Sequence, residues 1–212
     1  LDGLITDVDV NALQGLALTA VDASNGTWEY SLNGGEAWSD VGVLSTENAL
    51  LLSNDAMTRI RFVPNAEYNG EIDLSFQAWD RTDGTEGNKV SLSAAGGTSA
   101  FSLVTHTAPL TITPVNDAPT LTGGDDLALT AIIEDAPSID GDLITTLVDG
   151  FIGDIDAGAL KGIAITAADV TNGSWQYYDA DISNWSPIAS FASPIPDGEA
   201  FLVKSDATTK IR

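Results

Sequence analysis

Cysteine is absent from the 212 residues, so the fold carries no disulfide, and cysteine-based catalysis and zinc sites are excluded. A chain of this kind suits a reducing compartment, or a secreted protein stiffened by metal in place of disulfides. Basic side chains are scarce, 8 Lys and Arg against 31 Asp and Glu, which leaves a net charge of −23. Binding to nucleic acid or to an anionic membrane needs a basic face, so neither partner is expected. The acids form scattered D-x-D, N-D and E-D clusters and no long run, which excludes a low-complexity acidic tail. No apolar run approaches the roughly 18–20 residues of a membrane-spanning helix. No signal peptide opens the sequence at Leu1, which reads as an internal fragment of a longer protein.

What is present is a hydrophobic fraction of 43%, ample for a packed core, and a long internal repeat. LDGLITDVDVNALQGLALTAVDASNGTWEY, from Leu1, matches VDGFIGDIDAGALKGIAITAADVTNGSWQY, from Val148, without a gap. Asp7, Asp9, Trp28 and Trp38 recur 147 positions later as Asp154, Asp156, Trp175 and Trp185. SNDAMTRIR, ending at Arg61, recurs as KSDATTKIR, ending at Arg212, at an offset of 151, so the second copy is four residues longer in the intervening loop. The repeat divides the chain into a first sandwich repeat at 1–114, a linker at 115–119 and a second repeat at 120–212. The first copy lacks the N-terminal region and the second lacks the C-terminal strands. Cloning or proteolytic boundaries account for that, or a strand exchanged with a neighbouring chain completes each partial domain.

Local patterning predicts an all-β fold of antiparallel sandwich type. GLALTAV, TWEYSL, TRIRFV, EIDLSFQAW, AFSLVTHTAPLTITPV, LALTAII and GIAITAA are short runs rich in β-branched and aromatic residues. Turn signals separate them at roughly ten-residue spacing, the habit of a sandwich. No segment sustains a helical stripe over three turns. Asn25-Gly26 and Asn172-Gly173 predict tight hairpins, and SLSAAGGTSAFS, around Gly96 and Gly97, predicts a flexible hairpin tip. Pro114 and Pro119 bracket the linker and make it semi-rigid.

Catalysis finds little support. His106 is the one histidine, it lies in the strand-like SLVTHTAPL, and nothing near it resembles a nucleophile elbow. Paired carboxylates could serve glycoside hydrolysis, but the D-x-D pairs recur in both copies, and a catalytic dyad is seldom duplicated in tandem modules. There is no Gly-rich phosphate loop. The chain reads as non-enzymatic.

The D-x-D pairs suit calcium, which takes six to eight oxygens from carboxylates, amides and carbonyls. Asp7-Val8-Asp9-Val10-Asn11 opens like an EF-hand loop, yet Ala12 stands where that loop needs glycine and Leu18 where it needs a bidentate glutamate. A site at Asp7 and Asp9 must therefore recruit ligands from elsewhere. The plainer reading, that D-x-D forms Asx-turns leading into a strand, stands beside it.

The motifs V-N-D-A-P (115–119), DIDAGALKGIAIT, NGSWQY, RIRFVPNAEYNG and QAWDRTDGTEG together resemble the cadherin-like or Ig-like tandem repeats of giant bacterial surface adhesins, often of the RTX type. The resemblance implies that Asn116 and Asp117, an Asn-Asp pair before a proline, bind calcium between modules. It implies that Asp154 and Asp156 join the same ions, with Asp7 and Asp9 as the equivalent partial site. Glu134, Asp80 and Asp83 look like further acidic positions of that pattern. The function implied is a calcium-stabilised extender or adhesion module, secreted to the bacterial cell surface. Its partners would be neighbouring repeats and a surface ligand or glycan. The rival reading is a carbohydrate-binding module that uses the tryptophans, among which Trp38, just after a turn, is the one expected to be exposed.

Overall fold

A computed structural model describes residues 5–9, 11–123, 127–181, 183–188 and 199–212. The loop in which the second copy is longer falls largely in 189–198, outside the described residues. Among the described residues the chain is β apart from one short helix, and it divides into two compact units, Leu1–Val115 and Asn116–Arg212.

Unit 1 contains β1 (Gly15–Val21), β2 (Gly26–Ser31), β3 (Ser39–Asp40), β4 (Ala49–Ser53), β5 (Arg59–Pro64), β6 (Gly70–Trp79), β7 (Lys89–Val90) and β8 (Phe101–Ile112). They form two antiparallel sheets, ordered β7-β4-β1-β6-β8 and β3-β2-β5. Alternation in β1 and β4 sends Leu18, Leu50 and Leu52 inward to meet Trp28, Val41, Ile72 and Phe76 between the sheets. The intervening residues point the other way. Ala17, Ala49 and Leu51 join Trp79, Leu92 and Ala100 in a second cluster on the outer face of the larger sheet.

That outer cluster corrects a sequence expectation. β7 and β8 lie on opposite edges of the sheet, so the segment 91–100 between them cannot be a hairpin tip. It crosses the sheet face and buries Leu92 and Ala100 on the way. Gly96 and Gly97, at φ 87° and 64°, supply the left-handed turns of that crossing. Asn25-Gly26 is likewise a corner between the sheets and not a hairpin, because β1 and β2 belong to different sheets. Asp22 holds this corner. Its Oδ1 accepts the N–H (2.9 Å) and hydroxyl (2.6 Å) of Ser24, and its carbonyl accepts the Trp28 indole N–H (2.8 Å).

Unit 2 contains β9 (Thr120–Leu121), β10 (Asp142–Leu143), α1 (Ile144–Val148), β11 (Ile152–Gly153), β12 (Gly162–Ile165), β13 (Gln176–Asp179), β14 (Asn184–Pro187), β15 (Phe201–Lys204) and β16 (Lys210–Ile211). The antiparallel pairings are β9 with β11, β12 with β15, and the sheet β10-β16-β13-β14. α1 departs from the purely β expectation. Its buried Ile144 and Val148 stand four apart, one helical turn, against Ile188, Val203 and Ile211. LALTAII, expected as a strand, has no strand pairing among its described residues. The Thr130 N–H and hydroxyl turn to the Asp142 carboxylate instead.

Where both copies are described, they share the register of their main strand pairs. β1 pairs with β4 as Gly15 with Ser53 and Leu18 with Leu50, and β12 pairs with β15 as Gly162 with Lys204 and Ile165 with Phe201. Tyr30 faces Ile60 as Tyr177 faces Ile211. The Trp175 indole N–H reaches the Asp169 carbonyl at 2.9 Å, as Trp28 reaches Asp22.

Candidate functional site

The D-x-D segments are built identically in both copies. The Asp9 N–H donates to Asp7 Oδ1 and the Asp156 N–H to Asp154 Oδ1, each at 2.9 Å, which is the Asx-turn of the plainer reading. The chain then turns back, with the Ala12 N–H on the Asp9 carbonyl and the Ala159 N–H on the Asp156 carbonyl. Between them Asn11 and Gly158 take positive φ, 65° and 78°. This explains why one copy has Asn where the other has Gly, since these residues enter the left-handed region most readily.

In unit 2 a second segment meets this turn. The backbone N–H of Asp117 donates to Asp156 Oδ2 at 2.8 Å, and the Asn116 side-chain amide donates to the Asp117 carbonyl at 2.8 Å. The β9–β11 ladder sets this up by pairing Leu121 with Ile152 and Thr120 with Gly153, which runs residues 117–123 alongside 151–156. Asp117, Asp154 and Asp156 are half-buried, whereas Asn116 is exposed. Asp7 and Asp9 are both exposed, and the position equivalent to Asp117 would precede Leu1.

The remaining candidate acids stand apart from this arrangement. Asp80 Oδ1 accepts the N–H and hydroxyl of Thr82 at 2.8 and 2.6 Å, just after β6. Asp83 Oδ1 takes the Gly84 N–H, and the Asp83 carbonyl takes the Trp79 indole N–H at 2.7 Å. Glu134 lies in an exposed turn beside Asp135 at φ 57°. The donors at 116, 117, 154 and 156 are all hard oxygens, the chemistry calcium takes. Among the described residues, however, no three or more Asp, Glu, His or Cys side chains are gathered closely enough to hold a metal ion. In this arrangement the acids hold backbone N–H groups.

Sequence reasoning passed over two other repeated acids, Asp22/Asp169 and Asp55/Asp206. Their signal was available in the matched runs A-x-D-x-x-N-G-x-W and x-D-A-x-T. Asp55 Oδ1 accepts the N–H groups of Met57 and Thr58, and Asp206 Oδ1 those of Thr208 and Thr209. Each carboxyl is held below its ordinary pKa. The chief cause is the Ser24 hydroxyl at Asp22, and the N–H groups of Thr58, Thr171 and Thr208 at Asp55, Asp169 and Asp206.

Trp28 and Trp79 are buried. Trp38 is half-buried under the Arg61 guanidinium, 3.9 Å from the ring centroid, and Trp185 lies under Arg212 at the same 3.9 Å. Arg61 also pairs with Glu29 at 2.7 Å. One face of each ring is thereby taken and is not open to a stacking sugar. His106 sits exposed in mid-strand on β8, opposite Phe76, with the ring centroids 6.3 Å apart. Among the described residues no helix is long and apolar enough to cross a membrane. No family model matches the chain, and neither the curated proteins nor the solved structures include a significant match to it.

Proposed function

We propose that this chain is a non-enzymatic, calcium-stabilised extender or adhesion module, of Ig-like or cadherin-like type, from a large secreted bacterial surface protein. The observation that carries the reading is the bond from the Asp117 N–H to Asp156 Oδ2. It ties the backbone of Asp117 to the D-x-D turn 39 positions on, and so sets the linker motif beside the turn that the repeat singles out. In a chain of charge −23, the carboxylates of Asp154 and Asp156 stand among many like charges, and a divalent cation would offset that repulsion. Asn116, Asp117, Asp154 and Asp156 would hold the ion, and its binding would fasten the first residues of unit 2 to their own turn. Two copies that share strand register and D-x-D turns suit a repeating spacer, in which a unit is reused.

Extracellular modules bind calcium with dissociation constants of about 10⁻⁴–10⁻³ M. At a tenfold excess over such a constant, binding to the native state adds about 1.4 kcal/mol, a rise of roughly 5–10 °C in melting temperature for a unit of this size. Calorimetry in calcium and in EDTA measures this directly. The doubly substituted Asp154→Asn/Asp156→Asn chain should melt at the same temperature in both. A wild-type melting temperature unmoved by calcium up to about ten times the weakest of these constants defeats the calcium reading.

A further inference from the structure

The corner between the sheets carries one further repeated pattern, Asn25-Gly26-Thr27 in one copy and Asn172-Gly173-Ser174 in the other. Positions around it drift, Val21 to Ala168 and Ala23 to Val170, whereas the third position changes only from one hydroxyl residue to another. The fold accounts for the glycine. Gly26 shares the inner side of β2 with Trp28, and a Cβ there would fall 2.4 Å from the Phe62 ring. It does not account for the other two residues. Asn-Gly is favoured where a turn needs left-handed backbone, yet none of Asn25, Gly26, Asn172 and Gly173 has a positive φ. The Asn25 amide reaches only the neighbouring Ser24 hydroxyl, at 3.1 Å, and among the described residues nothing bonds the side chain of Thr27, Asn172 or Ser174.

We propose that these two corners are acceptor sites for N-linked sugar, with Asn25 and Asn172 as the modified residues. Asn-x-Ser/Thr is the pattern that sugar transfer to asparagine requires. With Trp28 and Gly26 turned inward, strand alternation turns Asn25 and Thr27 outward together, so amide and hydroxyl are offered on one side. Unit 1 holds the strands that follow the corner and unit 2 the segment 116–147 that precedes it, and the hydroxyl residue is exposed in both. In the transfer, Nδ2 bonds to the anomeric carbon of a sugar diphosphate donor. The bond from that carbon to the diphosphate breaks, the diphosphate oxygen keeps the electron pair, and one Nδ2 proton passes to the transferase. Asn184-Trp185-Ser186 fits the same pattern, but it lies in the paired strand β14, Pro187 follows it, and the first copy has Ala37 there. The proposal rests on the reading of the chain as an exported surface module and is independent of calcium.

The natural protein, recovered separately from the cell surface and the cytosol, is digested, and its peptides are sequenced by mass spectrometry. Sugar is expected on Asn25 and Asn172 and none on Asn184. Thr27→Ala in the natural protein should remove the sugar from Asn25 and leave that on Asn172, whereas Thr27→Ser should keep both. Thr27 is exposed, so both variants should melt with the wild type. Bare Asn25 and Asn172 overturn the proposal, and in surface-exposed protein they do so without touching the extender reading. Sugar that persists on Asn25 in Thr27→Ala also overturns it, because the hydroxyl then plays no part. Sugar confined to Asn184 overturns it as well.

Discussion

Leu51 and Leu202 occupy the same position of the repeat, the third residue of β4 and the second of β15, and paired truncations, Leu51→Ala and Leu202→Ala, separate burial from sequence identity. Leu51 is fully buried under the crossing segment 91–100, packed with Ala17, Ala49, Trp79 and Leu92, and its Cδ1 also blocks any side chain at Gly84. Removing its three outer carbons leaves a cavity that a sheet pinned on both sides cannot collapse, at a cost of about 2–5 kcal/mol. Taking about 3 kcal/mol, the unit 1 transition falls by roughly 10–20 °C. Leu202 is 78% exposed and its truncation should stay within about 0.5 kcal/mol. Urea titration with hydrogen exchange read separately on the β4 and β15 amides assigns each change to its unit. A loss above about 1.5 kcal/mol from Leu202→Ala, or below about 1 kcal/mol from Leu51→Ala, refutes the assignment of the outer face as covered in one unit and open in the other.

Two further outcomes follow from the turns. Asp22, Asp55, Asp169 and Asp206 all titrate below the ordinary 3.8 because N–H and hydroxyl groups hold their charged form. The folded state thus binds fewer protons than the unfolded one at acidic pH, and the stability they contribute is complete above about pH 5 and lost as pH falls from about 4 toward 2. Urea midpoints measured across that range should fall, and the combined Asp55→Asn/Asp206→Asn chain should show a shallower fall. At Asn11 and Gly158 the left-handed backbone sets the tolerance. Gly158→Asn should cost under about 1 kcal/mol and Gly158→Val about 1–2 kcal/mol or more, measured by the same denaturation.

The legible parts of the sequence were those with a single buried face. GLALTAV alternates, and β1 spans those same residues. β4 escaped notice because ALLLS is buried on both faces, between the sheets and under the crossing segment, and so has no alternation to detect. LALTAII has strand composition, but strand composition forms a strand only where an edge is offered, and here the Thr130 N–H bonds the Asp142 carboxylate instead of a strand. The Asn-Gly and Gly-Gly pairs were recognisable as turns. Which sheets they join depends on strand order, a long-range property that the dipeptides do not encode. At the candidate site, the repeat exposed Asp7, Asp9, Asp154 and Asp156, and the Asx-turn followed from their spacing. The bond between Asp117 and Asp156 depends on the β9–β11 pairing, two residues on each side, too short to be seen as a pattern.

The threading of unit 1 has a mechanical consequence. β1 begins at Gly15 opposite Trp79, the last residue of β6, and β8 ends at Ile112 opposite Gly70, the first. β1 and β8 therefore run parallel, so the chain enters the larger sheet at one end and leaves it at the other. Tension on the polypeptide is directed along the strands, and the hydrogen bonds that flank β6 on both sides bear it in shear and at the same time. Were entry and exit at the same end, the same bonds would part singly, like a zip. Resistance to stretching in this unit comes from the order in which its strands are laid down, and an array of such units would carry load without any one bond being strong.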